Sequence, residues 1–366
     1  MSQKTLRIGL IGAGGNMRLR HVPGLRALSG VEIVAVCNRR PESTRAAARE
    51  FGIARTFENW QDLVADPNVD AIVIGTWPYL HCPITVAAFE AGKHVLVEAR
   101  MSLNAAEAHR MHAAARRHPH LVAQIVPSPF GLKGHNMIGE LIQGGFLGEL
   151  REVHVHALNN ALADPASPLS WRQDAALSGY NMLSLGILHE TLLRWVPAPV
   201  RVMAQVHAYI PTRIDPQSGV HRAVGTPDSV QALAVLEDGT RVVYHMSGVV
   251  RYGQGTGIRL FGTEGVLYYD LAADRIWGAS RQHAAPSASS ESLQEIPIPE
   301  EKARSWRVEA EFAEAIRSGA PIEFTDFATG VSYMEFTEAV ARSAQRGEAV
   351  ELPLAEFVVT EANEKR

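Results

Sequence analysis

Cysteine is nearly missing: Cys37 and Cys82 are the only two in 366 residues. That excludes a disulfide framework and a multi-cysteine zinc site. No apolar run approaches the roughly 18 residues of a membrane helix. Neither sign of charge is in excess, with 35 Lys and Arg against 39 Asp and Glu and a net charge of −4. Nucleic acid is therefore not an expected partner, since bulk polyanion binding needs a basic surface. The start, MSQKTLRIGLIG, lacks the apolar stretch and small-residue cleavage site of a signal peptide. A cytoplasmic protein with no membrane association is expected. Length alone argues for about two domains.

What is present is a strand–helix alternation. Apolar, β-branched runs recur at Leu6–Ile11, Val31–Cys37, Ala71–Ile74, His94–Val97 and Leu121–Val126. Continuous rather than alternating runs mark strands buried on both faces, as in a parallel sheet. Helical stretches fall between them at Glu42–Glu50, Ile84–Ala91 and Asn104–Arg117, the last capped by Ser102 or Asn104. The spacing predicts an α/β fold whose N-terminal domain is a Rossmann-type, doubly wound parallel sheet.

The segment VPSPFGLKG, from Val126, reads as a junction. Domains over 1–125 and 126–366 are expected. After a helix at His135–Gln143, the later runs alternate polar and apolar, as in REVHVHAL and RVMAQVHAY. That pattern belongs to an antiparallel sheet with two distinct faces. Strands are expected at Glu152–Leu158, Arg201–Ile210, Ser229–Leu236, Arg241–Val250, Ile258–Phe261 and Val266–Leu271. Helices are expected at Ser305–Ser318 and Gly330–Gln345. Ala284–Ser292, rich in Ser and Ala, reads as a surface loop.

The sharpest motif is RIGLIGAGGNM, Arg7 to Met17. Gly12 permits a tight turn. Gly14 and Gly15 let the backbone approach a pyrophosphate, and Asn16 and Met17 open the helix whose N-terminus receives it. The third glycine of the usual fingerprint is replaced by Met17. The second strand ends in Asn38-Arg39-Arg40, where a carboxylate would bind a ribose 2′-hydroxyl. An arginine there suits a 2′-phosphate, which tilts the choice between NAD and NADP slightly toward NADP. The loops GTWPYLH and HVLVEARMS follow the third and fourth buried strands. They bring Thr76, Trp77, His81, Glu98 and Arg100 to the ligand crevice at the carboxyl ends of the strands.

Together with GTWPYLHCPITVAAFEAGKHVLVEARMS, LIQGGFLGEL, Trp171-Arg172, SGYNMLSLGILHE and SYMEFTEAVARSAQRGEAVEL, these residues resemble the glucose–fructose oxidoreductase / inositol dehydrogenase / MocA (Gfo/Idh/MocA) family over nearly the whole chain. The resemblance implies a C-terminal α/β domain with a large open, predominantly antiparallel sheet. It implies a sugar or cyclitol substrate, NAD(P), and a homodimer or homotetramer formed through the open sheet. It also places Trp171 and Arg172 near the nicotinamide.

Two departures stand out. The family's Glu-Lys-Pro is Glu98-Ala99-Arg100 here, so the lysine that handles the reacting hydroxyl is missing. The second signature's Asp, Gly-x-His and Asp are replaced by Ser184, Gly186-Ile187-Leu188 and Thr191. His189 is displaced by one residue, about 100° around a helix. His189 is the first candidate for proton transfer, because imidazole titrates near neutrality. Lys133, Tyr180 and Arg172 are the others. His154 and His156 share a strand face but have no supporting carboxylate or thiol, so no metal is expected.

Three functions stay open: an NAD(P)-dependent oxidoreductase on a hydroxyl or ketone of a sugar, glycoside or polyol; a redox-neutral NAD-dependent glycosidase working through transient C3 oxidation, elimination and water addition, suited also to an anionic sugar such as a sulfonated one; and a non-enzymatic cofactor-binding regulator.

Overall fold

The structure is a computed structural model and describes residues 4–281 and 293–358. The expected loop Ala284–Ser292 lies outside the described residues. The chain divides into two compact units. One comprises 1–127, 176–179 and 307–334, and the other 128–175, 180–306 and 335–366.

The first unit is built on six parallel strands: β1 Leu6–Ile11, β2 Val31–Cys37, β3 Arg55–Thr56, β4 Ala71–Ile74, β5 His94–Val97 and β6 Ala123–Ile125. Their order is β3-β2-β1-β4-β5-β6, the doubly wound arrangement. Ala71, Ile72, Val73 and Ile74 are all fully buried, as a strand covered on both faces requires. Helices follow at Pro41–Glu50, His81–Glu90 and Ala105–Arg117. The last is capped by Asn104, whose side chain accepts the Glu107 N–H. The helix expected from Ile84 begins earlier, at His81, because the Pro78–Leu80 turn already winds the chain. A short helix at Trp60–Ala65 has too little periodicity to be seen in the sequence.

The second unit carries a nine-stranded sheet. Its strands are β7 Leu150–Leu158, β8 Pro199–His207, β11 Ser229–Leu236, β12 Arg241–Ser247, β13 Gly255–Gly262, β14 Gly265–Asp270, β15 Arg275–Ser280, β16 Gln294–Ile296 and β17 Val350–Glu351. The order is β16-β15-β14-β13-β7-β12-β11-β8-β17. All neighbours are antiparallel except β7 and β12, which pair parallel. A separate hairpin pairs β9 Thr212–Ile214 with β10 His221–Ala223. Alternation sends Val153, Val155, Val242, Tyr244 and Leu260 into the core. It leaves Met203 and Leu233, register partners on β8 and β11, exposed on the other face. β8 ends at His207 rather than Ile210, since the chain turns there toward the hairpin.

Candidate functional site

The glycine-rich turn leaves β1 at Gly12, whose φ is +84°. A Cβ there would stand 2.5 Å from the Thr76 backbone nitrogen, so only glycine fits. Around Gly15, by contrast, nothing lies within 4 Å of an added Cβ, so that side of the turn is open. Asn38 ties the turn to the end of β2. Its Oδ1 accepts the Ala13 N–H at 2.6 Å, and its Nδ2 donates to the Ser43 carbonyl at 3.1 Å. These bonds fix the Asn38 amide at the cleft wall between the turn and the end of β2.

A cleft of about 400 Å³ opens here, lined by Gly12, Ala13, Gly14, Asn38, Arg39, Arg40, Trp60, Thr76 and Trp77 among others. The Arg39 guanidinium lies over the Trp77 ring, 5.0 Å from its centroid. Thr76 Oγ1 is buried with no hydrogen-bond partner, a polar atom that a ligand in the cleft would satisfy. The open glycine turn, the unpartnered Thr76 hydroxyl and the two arginines are groups that fit a dinucleotide.

The remaining expected cofactor residues of this unit split into two groups. Met17 is 1% exposed and packs against Gly75, so only its backbone is available to a ligand. His81, expected to touch the cofactor, is also buried. Its Nδ1 lies 2.9 Å from the Arg100 carbonyl and its Nε2 3.0 Å from that of Thr76. It is packed between the two crevice loops instead. Burial lowers its pKa and disfavours the charged form; a neutral ring donates to one of these carbonyls and only lies beside the other.

Glu98, just beyond β5, is partly exposed and accepts from Asn16 and from His21. His21 went unnoticed in the sequence. It is wholly buried on the π-helical turn Met17–His21, with Nε2 2.9 Å from Glu98 Oε1 and Nδ1 2.6 Å from Glu309 Oε1. Burial opposes its charge, but the two carboxylates prevail and raise its pKa to about 9. Glu309 is far away in sequence, on the helix Val308–Ser318, and no local pattern announces it.

The expected residues Lys133, Trp171, Arg172, Tyr180 and His189 belong to the second unit. Lys133 and Arg172 are exposed, and Tyr180 is 44% exposed. Arg172 lies over Trp171, 4.3 Å from the ring centroid, on a short turn closed by a Ser170–Gln173 capping box. His189 differs sharply. It is 0% exposed, stacked on Phe336 with centroids 3.8 Å apart, and its Nδ1 is 2.8 Å from the Tyr244 hydroxyl. Burial pushes its pKa down to about 3. Proton transfer needs access and a titration near the working pH; a sealed, neutral ring has neither. The neighbouring Glu190 pairs with Arg194 at 2.8 Å and accepts the Ser128 N–H, so it does not orient His189 either. No group of three or more His, Cys, Asp or Glu able to hold a metal ion occurs among the described residues.

The fold and the glycine turn define an NAD(P)-dependent oxidoreductase. Residues 6–125 match the oxidoreductase family with NAD-binding Rossmann fold, and residues 135–268 match the GFO/IDH/MocA C-terminal domain. The chain belongs to the Gfo/Idh/MocA family. It is 27% identical to an uncharacterized oxidoreductase of Rhizobium meliloti over 93% of this chain and 98% of that protein. It is 28% identical to 1,5-anhydro-D-fructose reductase of Ensifer adhaerens over 71% of this chain and 74% of the relative. A solved levoglucosan dehydrogenase, in complex with NADH and L-sorbose, superposes with a TM-score of 0.83 at 23% identity, covering 96% of this chain and all of that one, a likeness of fold. Among the described residues, no helix is long and apolar enough to cross a membrane.

Proposed function

We propose that the protein transfers hydride between a hydroxyl or ketone of a sugar or polyol and a nicotinamide dinucleotide, with NADP preferred. The observation that carries the cofactor choice is the cleft itself. Arg39 and Arg40 line it where a ribose-binding carboxylate would stand, and Asn38 is engaged by Ala13. The substrate class rests on the family and on relatives named 1,5-anhydro-D-fructose reductase, levoglucosan dehydrogenase and myo-inositol 2-dehydrogenase.

When bound, the dinucleotide supplies the hydride acceptor or donor. The chain supplies the rest. Gly12–Gly15 seats the phosphates, Arg39 grips the 2′-phosphate, and Thr76 offers its hydroxyl. Ala99 cannot carry a proton and His189 is sealed away, so the proton passes to Tyr180 or Lys133, both exposed, while Arg172, a guanidinium that stays charged, binds a substrate oxygen. Trp171 supports Arg172 through its ring face.

Met203 and Leu233, exposed in register on the open sheet face, support a homodimer or homotetramer formed through that sheet. The free, buried Cys37 and Cys82 support a cytoplasmic setting.

One assay tests the activity. Free sugars, polyols and p-nitrophenyl glycosides are supplied with NAD or NADP, and reduced nicotinamide and nitrophenol are followed together. Net cofactor reduction by free sugars or polyols, stronger with NADP, is the expected result. Nitrophenol release without net reduction would replace this reading with the redox-neutral glycosidase. Neither signal, with cofactor binding intact, would leave a regulator.

A further inference from the structure

One cluster of titratable side chains is built into the core of the first unit. His21 is 0% and Glu309 3% exposed. The imidazole is held from both nitrogens by carboxylates that come from distant parts of the chain, Glu98 after β5 and Glu309 on the helix Val308–Ser318. Asn16, on the glycine-rich turn, donates to the same Glu98 oxygen and lies 3.4 Å from His21 Nε2. Room for Glu309 is made by Gly24, where a Cβ would stand 2.7–2.8 Å from the carboxyl group.

Burying the imidazole and the Glu309 carboxylate, with Glu98 only partly exposed beside them, costs free energy unless each is paired, and here each is. The cluster joins three things: the turn that seats the phosphates, the carboxylate at the end of β5, and a helix from the far end of the chain. We propose that His21 and Glu309 are positioning residues of the dinucleotide site, holding Glu98 and, through Asn16, the glycine-rich turn in the arrangement that receives the cofactor. This rests on the dinucleotide reading of the cleft.

The arrangement requires His21 to donate from both nitrogens, which only imidazolium can do. The carboxylates of Glu98 and Glu309 face His21, and the titratable His81 lies near Glu98 on the helix His81–Glu90. With the His21 pKa at about 9, the binding-competent state is fully populated at pH 7 and lost above pH 9. Apparent affinity scales with the competent fraction, so dinucleotide should bind about tenfold more weakly at pH 10 than at pH 8. Cys37, which lines the cleft, is pushed up by burial to about 11 and titrates above this range.

The experiment measures Kd for NADP and for NAD from pH 7 to 10.5, by quenching of the cleft tryptophans, in wild type, His21→Gln and Glu309→Gln, with Tm recorded for each. Wild type should show the tenfold loss with a break near pH 9. Glu309→Gln removes one stabilising carboxylate, so its break should move to lower pH. His21→Gln should bind more weakly and show no break. A wild-type Kd flat to pH 10, or a break unmoved in Glu309→Gln, overturns the proposal even if His21→Gln fails to fold. So does a lowered Tm in folded His21→Gln with the wild-type pH profile intact. If wild type binds neither dinucleotide at any pH, the dinucleotide reading itself is wrong and the proposal goes with it.

Discussion

His189→Ala separates a packed ring from a working one. The ring is wholly buried, 3.8 Å from Phe336 between centroids, and bonded to the Tyr244 hydroxyl at 2.8 Å. Truncating a buried aromatic ring costs about 3–5 kcal/mol for Phe, and the smaller imidazole roughly 2–3 kcal/mol. The Tyr244 hydroxyl, itself buried, loses the partner it has in His189, for about 1–2 kcal/mol more. The sum is about 3–5 kcal/mol. At about 2–4 °C per kcal/mol for a unit of this size, Tm should fall by roughly 10 °C. Turnover per folded molecule at 25 °C should stay within about threefold of wild type.

Acid adds a second reading of the same residue. Burial holds the folded imidazole at about 3, while a free one titrates near 6.5. The unfolded chain therefore takes up the proton first, and stability falls as pH drops below about 6.5. The fall is about 1.4 kcal/mol per pH unit from this group until pH reaches its folded pKa. The mutant lacks that loss, so the stability gap between the two proteins should narrow by about 2 kcal/mol between pH 6.5 and 5. Thermal unfolding by circular dichroism at both pH values, with turnover on the same preparations, checks each part. A mutant with unchanged Tm and turnover a hundredfold lower would refute the packing argument and restore His189 to the chemistry.

Arg39→Ala should weaken NADP binding by about tenfold or more, the worth of a charge-assisted bond, and change NAD binding little; equal losses would place Arg39 elsewhere. Gly12→Ala forces a Cβ to 2.5 Å from the Thr76 nitrogen at a φ of +84°, so both cofactors should lose measurable binding in titrations of tryptophan fluorescence. Arg213, 0% exposed, donates to the carbonyls of Leu162, Asp164 and Ser167. Arg213→Met should remove this donor from all three, leaving the Asp164 carbonyl with only the Ser167 N–H, cost roughly 2–4 kcal/mol, and speed proteolysis within the loop 159–170. Tyr180→Phe should cut turnover by at least about a hundredfold if its hydroxyl carries the proton, with cofactor Kd unchanged; full activity would move that role to Lys133.

The N-terminal sheet was legible in the amino-acid sequence because a strand buried on both faces must be apolar throughout, as Ala71–Ile74 is, and the buried end of β2, Ala35–Cys37, is apolar too. The glycine turn was legible because backbone geometry at Gly12 admits no other residue. The alternation of REVHVHAL marked one wet face and one dry one, and β7 has both. Chain positions expected to act by chemistry were harder to read. A histidine has the same letter in a core as in a cleft, and only the stacking of Phe336 on His189, from residues far along the chain, decides that this one is packed. His81 likewise turned out to be buried between two loops. The His21–Glu98–Glu309 cluster had no signature at all, since its members lie 77 and 288 residues apart. Local pattern reports what one segment needs from its surroundings; which charges meet in a dry core depends on where the whole chain has brought them.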